Sequence, residues 1–116
     1  MEQPLKYSSI EHAERNIIFS AARYGVRTRG GTLVCAWAAC TDCARAIAQA
    51  GIKTLVRVAF DDKAAPYCRE SSVCGDKIML EANMRIIELD VSCLPLPSLR
   101  RNGELWSPHT DLCAAT

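Results

Sequence analysis

"TLVCAWAACTDCARAIAQAGIKTLVRVAF", Thr32–Phe60, decides the fold class. "TLVCAW" is a short apolar run and reads as a buried strand. "CTDCARAIAQAG", Cys40–Gly51, reads as a short helix that stops at Gly51. "KTLVRVAF" is rich in β-branched residues and reads as a second strand. A strand, a helix and a strand in succession imply parallel pairing through a right-handed crossover.

The flanks repeat the alternation. Upstream, "SSIEHAERNIIFSAARYG" places Ile10, Ala13, Ile17, Ile18, Ala21 and Ala22 at helical spacing. Ser8 or Ser9 is the expected cap, Glu11 or Glu14 falls in the first turns, and Gly25 is the expected stop. Downstream, "DDKAAPYCR" reads as a loop around Pro66. "ESSVCGDKIMLEAN" reads as a third helix, with Val73, Ile78, Met79 and Ala82 spaced to pack on a sheet, although Gly75 is a weak helix former. "MRIIELDV" is a third strand, and "RNG" a turn before a short strand at Glu104 to Trp106. The fold class is α/β. The expectation is one domain over residues 1–116, with an irregular tail from about residue 92.

Composition narrows the function. Apolar residues are 49% and charged residues 23% of a 116-residue chain, a globular profile. The net charge is +1, so no bulk field draws the chain to nucleic acid. The basic run "RYGVRTRGG" reads as a solvated loop. "MEQPLKYSS" has no signal-peptide core, and no run approaches the roughly 20 apolar residues of a membrane span. A cytoplasmic location is the default expectation. Seven cysteines without a signal peptide favour thiols and metal ligation over disulfides. Cys35 is expected in the core. Cys68 and Cys74 flank "RESSV" with no further Cys or His close by, and Cys93 and Cys113 fall in loop-like surroundings.

Four residues carry the chemistry. Cys40 and Cys43 are three apart at a helix start, so they share one face, and the helix N-terminus favours thiolates. Two thiolates aimed at one point suit Zn²⁺. With His12 as third ligand, one of four tetrahedral positions stays open, which is the layout of a catalytic site. Glu14 lies two residues beyond His12, near enough to shuttle protons without ligating. There are bland readings too. A lone His at a helix start is usually structural, and a CxxC alone has a redox rival. An HxE, a strand and then a CxxC at the next helix start is far more specific.

On "HAE" and "CTDC" together, the chain resembles the zinc-dependent cytidine and deoxycytidylate (dCMP) deaminases, whose signature is H-x-E…P-C-x-x-C. "HAERN", "CARAIAQAGIKTLV" and "NGELWSP" look most like the dCMP deaminase subgroup, and the likeness runs from about Ile10 to Pro108. The resemblance implies a three-layer α/β/α sandwich with a mostly parallel sheet. It implies Zn²⁺ on His12, Cys40 and Cys43, and Glu14 as the proton shuttle. It also implies that the Ala13 N–H holds the pyrimidine O2 and that carbonyls around Trp37 and Ala38 receive the amino group. Asn16 matches the family pattern in a structural role. The implied substrate is a nucleotide, dCMP first, and the implied assembly is a homo-oligomer. Neither nucleic acid nor membrane is an expected partner. Arg23, Arg27, Arg29, Arg69, Arg100 and Arg101 are candidate phosphate contacts, each more readily read as a surface charge.

The sequence departs from the family pattern in two places. Ala39 stands where the signature has proline, and only 11 residues precede His12 where the family carries a helix and a β-hairpin. The second departure raises the expectation that the pocket is incomplete in this chain alone. Alternatives are a non-catalytic zinc module, a deaminase of tRNA adenosine or of a riboflavin precursor, and a thiol redox protein.

Overall fold

The computed structural model describes residues 8–58, 69–90, 99–101 and 103–106. Along the chain these form α1 (Ala13–Tyr24), β1 (Thr32–Val34), α2 (Thr41–Gln49), β2 (Thr54–Val58), α3 (Arg69–Glu81), β3 (Arg85–Leu89), β4 (Leu99–Arg101) and β5 (Glu104–Trp106). The class is α/β, as expected. β1, β2 and β3 form a parallel sheet in that order, in the register Leu33↔Leu55↔Ile86 and Val34↔Val56↔Ile87. β4 and β5 pair antiparallel as a separate ribbon around Gly103, consistent with a turn at "RNG" and a strand at Glu104–Trp106.

The core follows from strand alternation. Side chains two apart share a face, so one face of the sheet carries Leu33, Leu55, Arg57 and Ile86. Leu33 and Leu55 join Ala39, Cys43, Ala44, Ile47, Ile52, Met79 and Met84 in one buried cluster, with Ile86 and Ile18 of α1 packed against it. The opposite face carries Val34, Val56 and Ile87, and Val34 is exposed.

Several boundaries differ from the sequence reading. α1 starts at Ala13 with His12 at the N-cap, not with Ser8 or Ser9. The His12 backbone is extended and its N–H donates to the Glu11 carboxylate at 3.1 Å. The helix does end at Gly25, in the left-handed conformation that glycine tolerates best. β1 ends at Val34. The Cys35 N–H still bonds the Val56 carbonyl at 2.9 Å, and the chain then bends toward α2. The expected apolar face of α3 is half right. Met79 is buried and Ile78 touches the core, but Val73 and Ala82 are exposed and Ser72 and Gly75 are buried instead. α3 packs chiefly on α2, so its contact face needs small residues more than large ones. The Pro66 loop, Cys68, Cys93, Cys113 and most of the tail lie outside the described residues. Among the described residues no helix is long and apolar enough to cross a membrane.

Candidate metal centre

Two helix N-termini meet at one point. His12 caps α1 and Cys40 caps α2, so the positive ends of both helix dipoles face the same small volume. The Cys40 sulfur accepts the Cys43 N–H at 3.5 Å, as an N-cap side chain does toward the third residue of its helix. That bond holds the Cys40 sulfur over the first turn of α2. The His12 Nδ1 lies 3.5 Å from the Cys40 Sγ and 3.5 Å from the Cys43 Sγ. All three donor atoms lie within 4.8 Å of one another.

This spacing can be tested against zinc. Zn–S bonds of about 2.3 Å and Zn–N bonds of about 2.0–2.1 Å at tetrahedral angles put N and S about 3.6 Å apart. The observed separations agree, and two thiolates with one imidazole are a borderline-soft set suited to Zn²⁺. The histidine equidistant from both sulfurs completes a set of three donors, one more than a dithiol pair supplies.

Glu14 stands beside the three donors without joining them. It is half-buried in the first turn of α1, with its Oε2 3.8 Å from the Cys43 Sγ. Arg15 closes the outer side, pairing with Glu11 at 2.5 Å and with Asp42 at 3.5 Å. Burial pushes the Cys43 thiol up to about 12, and the hydrogen bond and charge of Cys40, then Glu14, add to this, while Arg15 works the other way. Burial likewise pushes the Cys35 thiol up to about 11. Cys35 is half-buried beyond the end of β1 and donates to the Trp37 carbonyl at 3.1 Å.

The other expected site residues are less concentrated. Ala13 opens α1, Trp37 is exposed, and Ala38 is half-buried just before the turn. The Asn16 N–H donates to the His12 carbonyl at 2.8 Å, the first bond of α1. Arg23, Arg27, Arg29, Arg69 and Arg100 are exposed. Cys74 is exposed and apart from the donor group.

The sequence reading missed Arg57, Ser71 and Gly75. Arg57 is 3% exposed and bonds Asp76 through two nitrogens at 2.6 and 2.8 Å, and Glu88 at 2.9 Å. An arginine at the same register parity as Leu55 in "TLVRV" was the available signal. The Ser71 and Gly75 contacts are long-range, and no local pattern announces them.

Residues 2–59 match the family model of the cytidine and deoxycytidylate deaminase zinc-binding region. The chain belongs to this family. It is similar to the deoxycytidylate deaminase of Enterobacteria phage T4, at 49% identity over 88% of this chain and 46% of the phage protein. It is also similar to the deoxycytidylate deaminase of Enterobacteria phage T2, at 49% identity over 47% of this chain and 29% of that protein. A third relative is ComE operon protein 2 of Bacillus subtilis strain 168, at 42% identity over 51% of this chain and 31% of that protein. The chain therefore spans less than half the length of these relatives. The family's zinc-binding region and the donor set agree on Zn²⁺ as the cofactor.

Proposed function

We propose that the protein acts as a zinc-dependent hydrolase that deaminates a cytosine nucleotide, with dCMP converted to dUMP and ammonia. The observation that carries the reading is the meeting of His12, Cys40 and Cys43 donor atoms within 4.8 Å beside the Glu14 carboxylate. The deoxycytidylate deaminase relatives support dCMP as the substrate.

His12, Cys40 and Cys43 are the ligands in this reading. When bound, zinc supplies the Lewis acidity that brings a water's pKa to about 7. Glu14 takes one proton from the attacking water and gives it to the ring nitrogen N3 of cytosine, then takes the second from the new C4 hydroxyl and gives it to the leaving amino group, which departs as ammonia. Its half-buried position beside the Cys43 sulfur puts the carboxylate within reach of the metal-bound face without making it a ligand. Ala13, as the first residue of α1, has an N–H with no acceptor inside the helix, and it receives the pyrimidine O2. Carbonyls around Trp37 and Ala38 receive the exocyclic amino group. The active form is a homo-oligomer, to be checked by light scattering behind a sizing column.

The test is incubation of zinc-loaded protein with dCMP, dCTP, cytidine and deoxycytidine, followed at the ultraviolet shift from cytosine to uracil. Turnover of dCMP ahead of the other three is the expected result. Zinc-bound protein that turns over none of them contradicts the reading.

A further inference from the structure

We propose that Ser71 and Gly75 of α3 are positioning residues for the zinc-binding turn Ala39–Cys43. The inference rests on His12, Cys40 and Cys43 being the zinc ligands, and it names what fixes them.

Thr41 is the first residue of α2, and its N–H has no acceptor within that helix. The donor goes to the neighbouring helix, where the Ser71 Oγ accepts it at 3.0 Å. The Thr41 hydroxyl donates to the Ser71 carbonyl at 3.1 Å and lies 3.0 Å from the Ser71 Oγ, which can donate in return. The three bonds close on themselves and are partly buried, so they hold the peptide between Cys40 and Thr41 in one orientation. That peptide aims the Cys40 sulfur.

Gly75 lies one turn further along α3, on the same face as Ser71. A Cβ at this position would sit 2.7 Å from the Ala39 carbonyl oxygen and 3.3 Å from the Cys40 carbonyl oxygen. The α3 backbone is thus in direct contact with the two residues that enter the turn. Next to Gly75, Asp76 takes two hydrogen bonds from Arg57, which ties α3 to β2. The turn therefore rests on an anchored helix. Ala39 keeps a backbone freedom that a proline would remove, and the contacts from Ser71 and Gly75 restrict it from outside.

Groups that orient metal ligands typically contribute 10–100-fold in affinity. Zinc affinity is read by competition with a chromophoric chelator, and ligand geometry by the absorption of the Co²⁺-substituted protein. Ser71→Ala is expected to weaken zinc binding by at least about 10-fold and to change the cobalt spectrum. Ser71→Thr, which keeps the hydroxyl, restores both. Gly75→Ala is expected to act in the same direction. Ile52→Val, a core change away from the turn, lowers the melting temperature and leaves affinity and spectrum unchanged. Ser71→Ala with wild-type affinity and spectrum overturns the inference, whether or not Gly75→Ala folds. Wild-type protein that binds no zinc overturns the ligand assignment and this inference with it. Wild-type protein that binds zinc but deaminates no nucleotide sinks only the proposed reaction, and an affinity loss in Ser71→Ala would still support the positioning role.

Discussion

Cys35 and Cys43 sit a few residues apart and do different work. Cys43 is fully buried and faces His12, whereas Cys35 turns its thiol to the Trp37 carbonyl. The Cys35 thiol, raised by burial from 9.0 to about 11, has a consequence for stability. The unfolded chain ionises this group near pH 9.0 and the folded chain does not until about pH 11. Over that window the unfolded state holds fewer protons, so stability falls as pH rises. Urea unfolding of metal-free protein should show this loss, and Cys35→Ala should make it shallower. An unchanged slope would mean that Cys35 is not desolvated. The meeting of His12, Cys40 and Cys43 was legible because metal-ligand chemistry follows from residue type and spacing. The way Cys35 differs from Cys43 was not, because burial is a tertiary property.

At the scale of elements, the strand–helix–strand alternation was legible because hydrophobic period and β-branching act locally. The exact helix start was not. Ser8 and Ser9 are good caps by type, but the chain breaks its helical path at His12, whose ring faces the cysteines. Residues that bridge elements were equally hidden. Arg57 joins β2 to α3 through Asp76 and to β3 through Glu88. Its charge is favoured chiefly by the Asp76 hydrogen bonds, against the opposing effect of burial. Removing one partner of a fully buried ion pair costs about 3–5 kcal/mol. Asp76 and Glu88 retain solvent contact, so Arg57→Ala should cost less, about 2–3 kcal/mol by urea denaturation. A loss below about 0.5 kcal/mol, typical of a surface change, would show that the cluster does not tie the elements together.

Across the whole molecule, a zinc ion on His12, Cys40 and Cys43 would join segments that are distant in sequence. His12 precedes α1 and the cysteines begin α2, after β1 has passed through the sheet. An ion held by both helices stabilises the folded state over the unfolded one, by about 2.7 kcal/mol at a free concentration one hundred times its dissociation constant. Chelation should therefore lower the melting temperature by at least about 5 °C in a chain of this size. An equal melting temperature with and without chelator would argue against a site shared between α1 and α2. The parallel pairing of the strands was legible from the connections, while the separate β4–β5 ribbon was only half visible, as a turn and one strand. The most direct test of the account is dCMP turnover by Glu14→Ala protein whose metal content is measured on the same sample. The account predicts about one zinc per chain and dUMP formation reduced at least about a hundredfold. Turnover that survives the substitution, or zinc that is lost with it, would contradict the division of labour between three ligands and one proton carrier.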